Sequence, residues 1–166
     1  MAPARACHNS EAMLVIVVDP TCAEPIGLRG EIVTVVSREF NFGMPWETLY
    51  GYSQAVQAGE TLYISGQLSH DSTGAFIGTG DFALQMSTTL DNLDRVLEHF
   101  GARRDQIVET TVLVRGLREH FDTAARLHSA YCGDHRPTST IMGVSDLALP
   151  DQLVEIGAVV RLDVTR

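Results

Sequence analysis

"LVEIGAVVRL", residues 153–162, decides the fold. Read with the two-residue period of a β-strand, Val154, Ile156, Ala158, Val160 and Leu162 form one unbroken apolar side. That side has to be covered by packed helices. Leu153, Glu155, Gly157, Val159 and Arg161 form the other side, which is too apolar to be wholly wet. The pattern implies a sheet with helices on one face and a second subunit against the other. Glu155 then lies on a half-buried surface beside Gly157, a position with no side chain. Two roles stay open for it. A carboxylate in that setting tends toward a raised pKa and suits general acid–base work, or it is satisfied by backbone amides or a neighbouring arginine.

Upstream, the periodicity supplies the rest of that sheet and its cover. "TSTIMGV" (138–144) and "QIVETTVLVRG" (106–116) read as strands. In the latter Val108, Thr110, Val112 and Val114 share one side, and Ile107, Glu109, Thr111 and Leu113 the other. Residues 52–58 and 61–67 flank Gly59-Glu60 and predict a hairpin. Glu31–Phe40 is β-branched and reads as a first strand. Asp81 caps a helix whose face runs Phe82, Met86, Leu90, Leu93, Leu97 and Phe100, with Gly101 closing it. A second helix is expected over Glu119–Cys132, with Phe121, Ala124, Ala125, His128 and Tyr131 on one face. The order β-β-β-α-β-α-β-β predicts an α+β two-layer sandwich over residues 31–166. Residues 1–30 are expected to form an N-terminal extension that is partly disordered or supplies an extra strand, with "MLVIVV" (13–18) as that short strand or a sticky arm.

Composition narrows the function. The chain has 166 residues and a formal net charge of −9, with no large basic cluster, which disfavours a nucleic-acid partner. The apolar run at 13–18 is too short to span a bilayer. Three cysteines without a CxxC pair give neither a disulfide framework nor a zinc site, and suggest a reducing cytoplasm.

The motifs "GYSQAV" (51–56), "LYISGQLSHD" (62–71), "ALQMSTTLDNLDRVLEHFGA" (83–102), "IVETTVLV" (107–114) and "LVEIGAVV" (153–160) occur in order. Together they resemble the Rid family, also called the YjgF or reactive-intermediate-deaminase family, over residues 31–163. The resemblance implies a chorismate-mutase-like fold and a homotrimer whose sheets line a barrel, with clefts between subunits. It implies hydrolysis of imines and enamines without metal or organic cofactor. By position, Tyr52 matches the family's cleft tyrosine. Ser65 and Gly66 match the pair that contacts substrate through hydroxyl and backbone amide, and Glu155 the glutamate that positions the attacking water.

The departure lies at "RPTSTIMGV" (136–144). Deaminating members carry an arginine after the proline to grip a substrate carboxylate. Aligned through Pro137 and Leu147, that position is Ser139; a frequent cysteine is Ile141, and an asparagine of the second helix is Ala125. Losing one buried charged pair costs about 2–5 kcal/mol of binding, so weak activity on simple α-imino acids is expected. Arg115, at the end of its strand, is the candidate to reach the cleft rim instead. Arg136 is expected to point outward and Arg161 to line the barrel. Trp46, with Glu47 and Tyr50, forms either an aromatic lid for a substrate with an apolar body or a packed loop anchor. His70 is either a proton shuttle at the cleft mouth or a turn residue.

Three functions fit these residues. One is a hydrolase for an imine, enamine or related carbonyl compound without an α-carboxylate, using Tyr52, Ser65, Gly66 and Glu155, with Ser139, Arg115 and Trp46 as further binding positions. The second is a non-catalytic trimer that binds a small molecule or a protein partner. The third is a tautomerase or cyclase on the same scaffold.

Overall fold

The computed structural model describes residues 37–165. The expectations for residues 1–30, and for the start of the first strand, lie outside them. Among the described residues six strands form a single sheet: β1 (Ser37–Phe40), β2 (Ala55–Ala58), β3 (Thr61–Gln67), β4 (Ile107–Arg115), β5 (Thr138–Val144) and β6 (Val154–Arg161). Their order across it is β1-β2-β3-β6-β4-β5, with β4 and β5 parallel and every other pair antiparallel. The helices are α1 (Pro45–Tyr50), α2 (Phe82–His99) and α3 (Leu117–Cys132). The α+β architecture is as expected; the subunit count is not a property of a single chain.

The deciding strand sorts as its period requires. Val154, Ile156, Ala158 and Val160 are buried, and Met86, Leu90, Leu93, Val96 and Leu97 of α2 share their core. Each large side chain removed from water in this layer contributes about 1.5–3 kcal/mol. Asp81 caps α2 by accepting a 3.0 Å hydrogen bond from the Leu84 amide. Gly101, at φ +64°, follows the helix.

Four expectations need correction. "NFGMPWETLYG" is not all loop: Pro45 at the first helical position and Glu47 two residues later build α1, which Gly51 ends in the left-handed region. In β4 an extra residue, Val108, sits between the Ile107–Val160 and Glu109–Val159 pairs. This bulge turns Ile107 into the core, on the side opposite the one a strict alternation gives. Helix α3 begins at Leu117, straight after Gly116 at φ +73°, and not at Glu119. Its inward face is Leu117, Ala124, Leu127 and Tyr131, so Phe121 and Ala125 point outward.

Candidate active site

The site begins with a second bulge. Strand β3 pairs Ile64 with Ala158 and Gln67 with Ile156, so Ser65 and Gly66 together oppose Gly157. Gly66 is where this matters chemically. A Cβ built on it would lie 2.0 Å from Glu155 Oε1 and 2.5 Å from the carboxyl carbon. The carboxylate therefore occupies the volume that any side chain at 66 would need. The gap that Glu155 uses is at Gly66; at Gly157 a Cβ would meet the Ile64 carbonyl at 3.4 Å and the Gly66 amide nitrogen at 4.0 Å, and not Glu155.

One oxygen of Glu155 is held. Gln152, wholly buried, donates from Nε2 to Glu155 Oε2 at 3.0 Å and to the Val154 carbonyl at 3.2 Å. Its own Oε1 accepts the Leu149 amide at 3.2 Å. One side chain thus fixes both the carboxylate and the loop that brings Ala148 and Leu149 over it.

These groups floor a cleft of about 560 Å³. Glu155, Ser65 and Gly66 line it together with Tyr52; Trp46, Tyr50, Leu68 and Leu149 supply aromatic and aliphatic walls. Helix α1 places Trp46 and Tyr50 there, and Glu47 anchors α1. The Glu47 carboxylate, only 4% exposed, accepts the amides of Phe42, Gly43 and Met44 at 2.8–2.9 Å and Gln54 Nε2 at 2.9 Å. Gln54 also donates to Tyr52 Oη at 3.3 Å and accepts from Gln67 Nε2 at 2.9 Å. Anchor and aromatic wall are thus two duties of one helix.

Burial, first, raises the Tyr52 phenol above its ordinary pKa. The Glu47 charge adds to this and that of Glu155 adds less, while hydrogen bonds with Gln54 and Trp46 pull the other way. The phenol is therefore neutral throughout the physiological range. The Ser65 hydroxyl donates to the Ser53 carbonyl at 2.7 Å, so its proton is committed and its lone pairs are what it can offer a ligand.

Tyr52, Ser65, Gly66, Glu155 and Trp46 are thus brought together around one cavity. Ser139 and Arg115 do not join them within one chain. Ser139 pairs in register with Thr110, a core-facing residue, and its Oγ accepts from Thr110 Oγ1 at 2.9 Å. It therefore lies on the opposite face of the sheet from Glu155, whose cross-strand partner is Leu113. Thr110 Oγ1 also lies 2.9 Å from His128 Nε2, and burial lowers the pKa of that imidazole. The Arg115 guanidinium is hydrogen-bonded to the Pro150 carbonyl and braces the 145–152 connection. Arg161, exposed at the strand end, pairs with Asp163. His70 is no shuttle at the mouth: it is 3% exposed, its Nδ1 lies 2.8 Å from the Asp71 carbonyl oxygen, and its ring packs edge-on against Phe42 and Trp46.

Gln152, Gln54 and Leu149 were not legible as site residues. Glutamine carries no charge or motif to mark it, and "SDLALPDQ" (145–152) reads only as a connection. A polar residue immediately before an apolar strand is the one hint that sequence offers.

The model of the endoribonuclease L-PSP family matches residues 45–162. A RutC family protein of Pyrococcus abyssi is 31% identical over 108 residues, covering 65% of this chain and 84% of its own. The human 2-iminobutanoate/2-iminopropanoate deaminase is 32% identical over 109 residues, covering 65% and 77%. Among solved structures, a YjgF family member from Mycobacterium tuberculosis superposes with a TM-score of 0.68 at 25% identity, covering 76% of this chain and 99% of that one. RidA from a Psychrobacter species gives 0.62 at 28%, covering 66% and 87%.

Proposed function

This chain belongs to the endoribonuclease L-PSP family, the Rid or YjgF proteins, and we propose that its cleft hydrolyses imines or enamines that lack an α-carboxylate. The observation that carries this reading is the half-tethered carboxylate. Gln152 holds Oε2 of Glu155, and Oε1 lies against Gly66 at the floor of an apolar-walled cleft. That is the arrangement a general base needs: fixed in direction, with one oxygen left for a water. Relatives named as 2-iminobutanoate/2-iminopropanoate deaminases support the reaction type.

The chemistry is as follows. Water adds to the C=N carbon of a protonated imine while Glu155 accepts its proton, and the π electrons move onto nitrogen. The resulting carboxylic acid returns that proton to nitrogen. Glu155 then takes the hydroxyl proton as the C–N bond breaks, leaving a ketone or aldehyde, and passes that proton to the released ammonia, which departs as ammonium with the carboxylate restored. The Tyr52 phenol and the Ser65 lone pairs orient the nitrogen and oxygen. No step needs a metal or an organic cofactor.

The substrate class follows from what is missing. In the homotrimer that we propose, Ser139 of a neighbouring subunit stands where deaminating relatives carry the carboxylate-gripping arginine. A serine is short and uncharged. A net charge of −9 also fits an RNA substrate badly. The test is ammonia release from freshly generated α-imino acids and from carboxylate-free imines, with wild type and Ser139→Arg. Wild type should prefer the carboxylate-free class, and Ser139→Arg should shift preference toward α-imino acids by about tenfold or more. Release from neither class would discard hydrolysis in favour of a binding protein.

A further inference from the structure

We infer that the cleft selects organic cations: a protonated imine or amine carried on an apolar, ring-sized body. This deepens the hydrolase reading and rests on it for the choice of nitrogen compounds. Among the described residues of one subunit, Glu155 is the charged side chain that lines this cavity, and no arginine or lysine joins it there. Two arginines on Glu155's side of the sheet are engaged elsewhere, Arg115 with the Pro150 carbonyl and Arg161 with Asp163. Three aromatic residues, Trp46, Tyr50 and Tyr52, share the wall with Leu68 and Leu149. A carboxylate among aromatic rings is the chemistry that recognises an ammonium or iminium group, through a charge-assisted hydrogen bond and the rings' quadrupoles.

A carboxylate ligand meets the opposite surroundings. It would bring a second negative charge to a floor already occupied by Glu155, with no cation among this subunit's described lining residues to pair with it. The field at Tyr52 agrees with this, since both Glu47 and Glu155 act to hold the phenol in its neutral form. The volume, about 560 Å³, falls within the range of small-molecule pockets and accommodates a benzyl-sized body. Selectivity would thus act on the same charge that activates the substrate, because water adds to the protonated imine and not to the neutral one.

Trp46 is the only tryptophan of the chain and lines the cleft, so intrinsic fluorescence reports occupancy. The full chain would be titrated with three probes of one shape: benzylammonium, benzyl alcohol and benzoate. The expected order is benzylammonium tightest, by about 10- to 100-fold over the alcohol, with benzoate weakest. Glu155→Gln should bring benzylammonium down to the level of the alcohol. Benzoate binding as tightly as benzylammonium, or a cation preference that survives in Glu155→Gln, overturns the inference. If that variant does not fold, the order of the three probes on wild type decides alone. Ammonia release from benzylic imines, measured in parallel, separates the two claims. Cation selectivity without turnover keeps this inference and removes the hydrolase reading; turnover with a preference for benzoate does the reverse.

Discussion

Two glutamates, Glu47 and Glu155, both act on the Tyr52 phenol, and they differ in how completely they are satisfied. Glu47 is buried and accepts four hydrogen bonds, three of them from consecutive backbone amides. No lone-pair direction is left for a ligand, and its work is to hold α1 against the strand region. Glu155 receives one side-chain hydrogen bond, on one oxygen, and borders a cavity with the other. The comparison teaches that an inward acid is assigned by counting its partners. A saturated carboxylate is structural; a carboxylate held by one hand and open on the other can move protons.

The comparison can be broken or sharpened in several ways. The largest effect expected is on stability. Glu47→Ala leaves the amides of Phe42, Gly43 and Met44 and the Gln54 side chain without their acceptor, and should cost about 3 kcal/mol, read from urea unfolding. A change below about 0.5 kcal/mol would make Glu47 no anchor at all.

Next comes Gly66→Ala. The added Cβ meets Glu155 Oε1 at 2.0 Å, so the carboxylate must swing away. Turnover should fall about 100-fold, measured as kcat by ammonia release, with a smaller loss of stability of about 1–3 kcal/mol. Gln152→Leu keeps the volume and removes the tether. It should lower kcat about tenfold and leave KM within about twofold, the mark of a residue that positions a catalytic group.

The smallest effect concerns Tyr52. Its folded pKa is raised above the unfolded value of 10.0, so stability should fall as pH rises above about 10, where the unfolded chain releases the proton first. Because Glu47 contributes more to that shift than Glu155 does, Glu47→Gln should lower the phenol's titration midpoint more than Glu155→Gln. Ultraviolet difference titration against Tyr52→Phe isolates it from the other three tyrosines of the chain.

Sequence patterning carried the sheet and the two long helices because each has an apolar face with a regular period. It failed where geometry departs from the period. The bulge at Val108 sends Ile107 inward, and α3's face is set by Leu117 rather than by Phe121. At the site, Glu155 and Tyr52 were legible from motifs, and Trp46 from its place in the aromatic stretch before Tyr52. The neutral amides of Gln152 and Gln54 were not, because their role exists only once three segments far apart in sequence meet. Ser139 shows a different limit. Its position in an alignment is readable, but which face of the sheet it occupies depends on the parallel register of β5 on β4.

The most direct test is single-turnover ammonia release from a carboxylate-free imine by wild type and Glu155→Gln, with urea midpoints recorded for both. The expected result is a drop of about 10²- to 10⁴-fold in the chemical step, with stability changed by less than about 1 kcal/mol. Equal rates in the two proteins would contradict the assignment of Glu155 as the proton-transferring group.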